Sequence, residues 1–294
     1  MATTETRQNA GEVVLSCAGL TKDFTDIWGR PTVRAVEDLN VSVMRGEIFG
    51  LLGPNGSGKT TTIKLVLGLI FPTAGTVRVL GADPRDVSAK QRIGYLPEES
   101  YLHRFLNAEE TLDFYGRLFD LPRAVRLERT AALIERVGLK HARRRPLGEY
   151  SKGMVRRVGL AQCLINDPDL ILLDEPTSGM DPIGSREIKD LVLDLKKQGK
   201  TVLLSSHLLA DVEDVCDRIA MLYRGRLQLV GRVNELLEIG DVTEVAVRNL
   251  SDAGMQAVRA EAERQGGTVL DAKRRRERLE ALFMRVVERE RGKG

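Results

Sequence analysis

The sequence predicts an α/β fold built on a mixed β-sheet. Short continuous apolar runs, such as Leu170–Leu173 and Val202–Leu204, are typical of strands that are buried on both faces. Other segments, such as 188–195, have apolar residues that recur with the period of a helix. An all-helical stretch from about 100 to 160 interrupts the strands, so we also expect an inserted α-helical subdomain. An N-terminal antiparallel β-subdomain and a small α+β C-terminal extension complete the predicted architecture.

Composition and charge exclude several classes of protein. The 294 residues carry 45 Lys and Arg against 42 Asp and Glu, so the net charge of +3 is too balanced to indicate nucleic-acid binding. No apolar run approaches the roughly 18 residues of a membrane span, and the polar N-terminus lacks the apolar segment of a signal peptide. The three cysteines have no metal-site spacing and are expected in the core. We therefore expect a soluble, cytoplasmic protein.

A glycine-rich loop is the strongest motif. Residues 53–60 fit G-x-x-x-x-G-K-[ST] and lie between an apolar run (Ile48–Leu52) and a segment with helical spacing (63–70). Such a loop points backbone N–H groups at a phosphate, and the helix N-terminus adds attraction. Without these flanks the motif would be a glycine-rich turn with one exposed lysine. The predicted phosphate-binding residues are Gly53, Pro54, Asn55, Gly56, Ser57, Gly58, Lys59 and Thr60.

Polar side chains follow two of the predicted strands. Asp174 and Glu175 come directly after the run 170–173, and His207 ends the next strand. Ligands bind at the carboxyl ends of strands in open α/β sheets, so we expect these side chains at one edge. Adjacent side chains in a strand point in opposite directions, so the two acids should do different jobs. The phosphate loop favours this interpretation over ordinary turn carboxylates and a structural histidine.

Two further positions are candidates for ligand contacts. Phe24, or as second choice Trp28, could stack on a nucleotide base, although a ring packed into a β-layer is an equal alternative for either. Ser151 is predicted to cap a helix with Gly153 in its first turn, which offers a second anion site. The charged run Arg143–Arg145 is interpreted as a solvated loop, with a phosphate or partner contact as the alternative.

The chain is expected to contain three segments. Residues 1–11 are interpreted as a disordered lead, 12–232 as the main domain and 233–294 as the extension. In the extension we expect strands at 242–247 and 267–270, a polar helix at 251–266 and a basic amphipathic helix after Lys273. That last helix is interpreted as a cap, and contact with a partner or with anionic lipid is the alternative.

Taken together over residues 14 to 232, these motifs resemble the ATP-binding subunit of ABC transporters, which has a P-loop NTPase core. The similar segments are the Walker A loop (53–60), the signature motif (Tyr150–Met154), the Walker B strand (Leu170–Glu175), the D-loop (Ser178–Asp181), the switch histidine (His207) and the adenine-stacking aromatic (Phe24). Two motifs depart from the family pattern. The signature L-S-G-G-Q is Tyr-Ser-Lys-Gly-Met here, and Glu98 stands where the family has glutamine. Both variants resemble export-type bacterial subunits with a C-terminal extension.

The resemblance implies a site for ATP and Mg²⁺ with defined roles. Thr60, Asp174 and Glu98 would bind the metal, and Thr61 would lie near the α-phosphate. Glu175 would act as general base, with Lys59 and His207 at the γ-phosphate. A second copy of the chain would supply the signature in trans across a head-to-tail dimer. Its implied signature residues are Ser151, Lys152, Gly153 and Met154, and Asp181 would contribute from the D-loop.

The implied function is an ATPase that powers transport, with an exported substrate. ATP binding would close the dimer and hydrolysis would open it. A separate transmembrane permease subunit would dock on residues 100 to 140, which places the chain peripherally on the cytoplasmic face of the membrane. One alternative is a soluble ABC-type ATPase acting on ribosomes or nucleic acid, but such proteins usually carry two cassettes or a long coiled coil. Another is a regulatory module without turnover, against which Glu175 and His207 argue. No nucleic-acid partner is expected.

Overall fold

The computed structural model describes residues 11–26, 28, 30–238 and 247–270. The chain divides into two compact units, Met1–Leu237 and Glu238–Gly294. The first unit includes the helix Val233–Leu237, which the boundary predicted after residue 232 assigns to the extension. Three predicted segments lie wholly or mostly outside the described residues: residues 1–10 of the lead predicted at 1–11, most of the strand predicted at 242–247, and the basic helix after Lys273.

The strands of the described residues are β1 (Val13–Thr25), β2 (Pro31–Met44), β3 (Ile48–Leu52), β4 (Ala74–Val79), β5 (Ile93–Leu96), β6 (Leu170–Asp174), β7 (Thr201–Ser206), β8 (Arg218–Tyr223) and β9 (Arg226–Arg232). The helices are α1 (Lys59–Val66), α2 (Val87–Lys90), α3 (Ala108–Leu118), α4 (Arg123–Arg136), α5 (Lys152–Cys163), α6 (Pro182–Lys197), α7 (Leu209–Val215), α8 (Val233–Leu237) and α9 (Asp252–Arg264).

A six-stranded mixed sheet forms the centre of the first unit. Its strand order is β5-β6-β7-β3-β8-β9, and its strands are parallel except for β9, which runs antiparallel to β8. Every residue of β3, β6 and β7 is buried, which explains the continuous apolar runs. The predicted α/β fold with a mixed sheet is confirmed. The carboxyl ends of β3, β6 and β7 share one edge, from which the loops after residues 52, 174 and 206 emerge.

A second, three-stranded sheet has the order β2-β1-β4 and is antiparallel, as predicted for the N-terminal subdomain. The apolar pattern from Glu12 to Leu20 predicts a short first strand that ends at Leu20, but the pairing of β1 with β2 continues to Thr25. The added part of the ladder is polar: Asp23 faces Arg34 and pairs with its guanidinium at 2.7 Å. Cross-strand ion pairs can stabilise a ladder where the apolar pattern stops, so the apolar run alone underestimated the strand.

The inserted helical subdomain consists of α3, α4 and α5. Asn107 caps α3 by accepting the N–H of Glu110, and the Glu110 carboxylate accepts the N–H of Asn107 in return. Pro122 stands at the N-cap of α4, where its missing N–H costs nothing. Buried apolar residues such as Leu112 and Ile134 join this subdomain to the core under the large sheet.

In the second unit, the helix α9 begins where it was predicted. Ser251 caps it by accepting the N–H of Gly254 at 3.0 Å. The strand predicted at 267–270 is wrong, since these residues have irregular backbone and the described part of this unit offers no strand to pair with. Of the helices that the structure describes in either unit, none combines the length and apolar character needed to cross a bilayer.

Candidate nucleotide-binding site

The glycine-rich loop lies between the end of β3 and the start of α1. Gly58 is the N-cap residue of α1 and has a φ angle of 103°, in the left-handed region. A Cβ atom on Gly58 would lie 2.5 Å from the carbonyl oxygen of Ala35, and one on Gly53 would lie 2.3 Å from that of Leu222. Both positions therefore need glycine. The path of the loop, which brings backbone N–H groups to the start of α1, depends on them.

Lys59 is buried at the first position of α1. Its Nζ atom donates to the carbonyl oxygens of Gly53 at 2.7 Å and Pro54 at 3.3 Å. It also lies 3.2 Å from Oε1 of Glu175. The loop's own carbonyl groups thus hold an ammonium group inside the phosphate cradle, and the carboxylate balances its charge.

Asp174 and Thr60 form the part of the site that suits a metal ion. Asp174, at the end of β6, is almost completely buried. Its Oδ1 atom accepts hydrogen bonds from the hydroxyl of Thr60 at 3.2 Å and from that of Ser205 at 2.5 Å. Burial, with the charge of Asp174 adding to it, raises the pKa of Tyr95 on the adjacent strand to about 12. The arrangement holds a carboxylate against the phosphate loop.

The donor set fits Mg²⁺. This ion prefers hard oxygen ligands and is usually held by one or two carboxylates together with substrate phosphates and water. Asp174 supplies a carboxylate and Thr60 a hydroxyl at the start of the phosphate loop's helix. Within the described residues there is no cluster of three or more His, Cys, Asp or Glu side chains that could hold a metal by itself. Such an ion would therefore depend on the nucleotide for its remaining ligands.

Glu175 has different partners from Asp174, as expected, but it lies just after β6 and not in the strand, so strand alternation is not the cause. Its φ angle is +48°, which is unusual for a residue with a side chain. The Oε2 atom lies 2.8 Å from Nδ1 of His207, which follows β7. The Oε1 atom is buried and, among the described residues, makes no hydrogen bond despite its distance of 3.2 Å from the Lys59 ammonium. One carboxylate oxygen therefore contacts the histidine, and the other is buried beside the Lys59 ammonium.

The structure thus brings together five predicted site residues at one edge of the large sheet, namely Lys59, Thr60, Asp174, Glu175 and His207. It does not join the predicted signature residues to them. Ser151 caps α5 by accepting the N–H of Met154 at 3.2 Å, and its side chain is exposed. Lys152 extends over Gly179, where a Cβ would lie 2.2 Å from its Nζ atom.

The remaining predicted residues take varied positions. Phe24 lies on β1 with its ring 41% exposed and the Lys22 ammonium 5.3 Å from its centroid, whereas Trp28 is 78% exposed. Glu98 is exposed in the loop after β5. Asp181 caps α6 by accepting the N–H of Gly184 at 2.7 Å. Thr61, in the first turn of α1, is half-buried.

Two residues beside the site, Ser205 and Arg156, were not predicted from the sequence. Ser205 accepts the N–H of Glu175 at 3.0 Å while it donates to Asp174, so it fixes both acids. A polar residue at the end of an apolar run, in register with Asp174, is the signal that could have found it. Arg156 donates to the backbone of the same acids. Its contacts are remote in sequence, so the sequence offered no comparable signal.

Comparison with known proteins places the chain in a family. The family model described as ABC transporter matches residues 36–178. An ABC transporter ATP-binding protein of Synechocystis is 47% identical over 226 residues, which cover 76% of this chain and 64% of that protein. The Nod factor export ATP-binding protein I of Ralstonia nicotianae is 40% identical over 237 residues, or 79% of this chain and 72% of that protein.

Solved structures agree. The protein cbiO1 of Clostridium perfringens, part of the ABC transporter complex cbiONQ, is 25% identical with a TM-score of 0.69 and covers 87% of this chain and 98% of its own. A dimeric ATP-binding cassette bound to ADP and Pi has the same fold, with 24% identity, a TM-score of 0.68 and coverage of 74% and 98%. As its motifs predicted, the chain belongs to the ATP-binding proteins of ABC transporters, which are ATPases.

Proposed function

We propose that this chain binds and hydrolyses ATP and so powers export of a substrate through a separate transmembrane partner. The observation that carries the proposal is the convergence of Lys59, Thr60, Asp174, Glu175 and His207 at one edge of the large sheet. Phosphoryl transfer depends mainly on positioning and on stabilisation of charge. A buried ammonium, a metal-binding pair and an oriented carboxylate provide both.

Each residue has a distinct part in the proposed reaction. The backbone of residues 53–58 and the Lys59 ammonium hold the β- and γ-phosphates, and Thr61 lies near the α-phosphate. Thr60 and Asp174 hold Mg²⁺, which neutralises phosphate charge when bound, and Glu98 approaches it from the loop after β5. Phe24 stacks on the adenine ring.

Glu175 is the general base for the attacking water. His207 donates to Oε2 and so orients the carboxylate, whose Oε1 atom lies 3.2 Å from the Lys59 ammonium on the side of the phosphate loop. His207 lies beside Glu175, and Glu175 lies beside the phosphate loop. In the proposed complex with ATP, His207 therefore also contacts the γ-phosphate. Loss of either group therefore reduces turnover more than binding.

The proposed site is completed by a second copy of the chain. Ser151, Lys152, Gly153 and Met154 surround the N-terminus of α5, which attracts anions, and they have no hydrogen bond to the phosphate loop of their own protomer among the described residues. In the proposed head-to-tail dimer they face the γ-phosphate held by the partner, with Asp181 beside them. The dimeric state of the fold relative bound to ADP and Pi supports the pairing of two copies.

The proposed permease contact lies on the helical subdomain. Residues 100 to 140 leave five large apolar side chains exposed there, namely Tyr101, Phe105, Phe114, Leu118 and Leu127. Exposed apolar groups of this kind mark interaction sites, and the transmembrane subunit is the partner that the family supplies. This contact would hold the chain on the cytoplasmic face of the membrane. The relative named for Nod factor export supports an exported substrate. The alternative of a ribosome or nucleic-acid ATPase has no comparable support.

The test of this function is ATP hydrolysis by Glu175→Gln. We expect turnover to fall by about 10²–10⁴-fold, the usual contribution of a general base, while ATP binding persists because the phosphate loop is unchanged. Glu128→Gln, the same change at an exposed site on α4, is the matched control and should keep the parental rate. Parental turnover in Glu175→Gln would rule out the assigned base.

A further inference from the structure

Arg156 is a buried cation, and all of its hydrogen bonds go to the backbone beside the candidate site. It lies in the second turn of α5 and is only 6% exposed. Its Nε atom donates to the carbonyl oxygen of Pro176 at 3.0 Å, and Nη2 donates to those of Asp174 at 2.7 Å and Glu175 at 2.9 Å. Its Nη1 atom donates to the carbonyl oxygens of Glu98, at 2.9 Å, and Pro97.

This pattern uses the full donor capacity of a guanidinium, which has five N–H groups in a fixed planar fork. Among the described residues, Arg156 forms no ion pair within 4 Å of a carboxylate. Backbone oxygens alone therefore receive its hydrogen bonds. Burial lowers its pKa to about 10, with the charges of Asp174 and Glu98 opposing the shift, so the group stays charged at neutral pH. Burial of a charge costs free energy unless the charged group is fully hydrogen-bonded. The guanidinium of Arg156 meets that condition.

The five acceptors belong to two loops only. Pro97 and Glu98 follow β5, and the other three acceptors lie at the end of β6 or just after it. These loops carry the proposed metal and water contacts. Glu175 has a positive φ angle, a conformation that is unfavourable for a residue with a side chain. Such a residue keeps its conformation only when its surroundings enforce it.

We propose that Arg156 is a positioning residue for ATP hydrolysis. Its guanidinium holds the backbone of Glu175 in the left-handed conformation and locks the loop after β5 to the loop after β6. Because Arg156 is on the helix that Ser151 caps, the same contacts join a protomer's own hydrolytic carboxylate to the signature it presents to its partner. The inference rests on the proposed function and adds a link between the two composite sites of a dimer.

The test compares Arg156→Gln and Arg156→Lys with the parental chain. We expect Arg156→Gln to lower kcat by about 10²-fold, the cost of misplacing a catalytic group by about 1 Å. The KM for ATP should stay unchanged, because Arg156 makes no hydrogen bond to the phosphate loop. Arg156→Lys keeps the charge and three donors and should recover part of kcat. The matched control is Arg129→Gln, since Arg129 donates to the carbonyl oxygen of Ile165 at 3.0 Å, outside the site.

A second measurement separates this inference from the proposed function. Amide hydrogen exchange at residues 174–178 should be faster in Arg156→Lys than in the parental chain and unchanged in Arg129→Gln, whether or not ATP is hydrolysed. If the parental chain does not hydrolyse ATP, the proposed function fails and exchange alone decides the inference. If Arg156→Gln does not fold, Arg156→Lys carries both measurements. Parental kcat in a folded Arg156→Gln, or parental exchange in Arg156→Lys, overturns the proposal.

Discussion

Ser205→Ala removes one hydroxyl that serves both acids of the site. In the parental chain this hydroxyl accepts the N–H of Glu175 at 3.0 Å and donates to Asp174 at 2.5 Å, and Ser205 is fully buried. The substitution leaves a buried N–H without an acceptor and removes a hydrogen bond to a charged group. Each loss is worth about 1–3 kcal/mol, and the two overlap. We expect the free energy of unfolding to fall by about 3 kcal/mol.

A loss of about 3 kcal/mol corresponds to a fall in Tm of about 6–12 °C for a domain of this size. Without the Ser205 hydroxyl, the Asp174 carboxylate is no longer held in one orientation. Because Asp174 is the proposed Mg²⁺ ligand, half-maximal ATPase activity should require a higher Mg²⁺ concentration. Thermal unfolding and a Mg²⁺ titration at constant ATP measure the two effects. Thr201→Val is the control, because the Thr201 hydroxyl is equally buried and accepts the N–H of Gly46 at 2.9 Å at the opposite end of β7. An unchanged Tm and Mg²⁺ requirement in Ser205→Ala would refute the reasoning.

Three further outcomes are expected. Gly58→Ala should abolish nucleotide binding, because its Cβ meets a backbone oxygen, whereas Gly199→Ala has a positive φ angle but open space and should bind normally. Lys189→Met leaves the buried carboxylate of Asp211 without the ammonium at 2.7 Å and should lower the free energy of unfolding by about 3–5 kcal/mol in chemical denaturation. Burial lowers the pKa of Lys189, but the hydrogen bonds that its ammonium donates to Asp211 and Asp214 outweigh burial, so the net shift of this pKa is upward. The contribution of Lys189 to stability is therefore complete below about pH 10.4 and is lost above the raised pKa. Burial raises the pKa of Cys17 to about 12, so this thiol should resist a thiol reagent at about pH 8 until the chain is unfolded.

Much of the fold was predictable because its causes are local. Continuous apolar runs mark β6 and β7 as strands buried on both faces, and Asn107 and Ser151 begin helices through their own side chains. The ends of β1 and β2 were not predictable in the same way. Their outer parts are polar and are stabilised by pairing across the sheet, as Asp23 and Arg34 show. The failed strand at 267–270 shows the converse, since a suitable composition forms no ladder where the described residues supply no neighbouring strand.

The residues of the candidate site differ in the same way, between those with local sequence signals and those that depend on distant contacts. The residues proposed to contact phosphate or metal follow motifs with fixed spacing, so Lys59 and Asp174 could be found from the sequence. The residues that hold those groups in place act over long separations: Ser205 is 31 residues from Asp174, and Arg156 is 58 residues from Glu98. No periodicity encodes such contacts, because they depend on which strands become neighbours.

The shared site is tested most directly by sedimentation velocity of Glu175→Gln with saturating Mg²⁺ and ATP. This variant should bind nucleotide without consuming it, so the closed state should accumulate. We predict a monomer without nucleotide and a dimer with Mg²⁺ and ATP, and a return to monomer when Ser151→Arg is added to the same chain. A variant that binds ATP yet sediments only as a monomer would contradict the claim that two copies build each site.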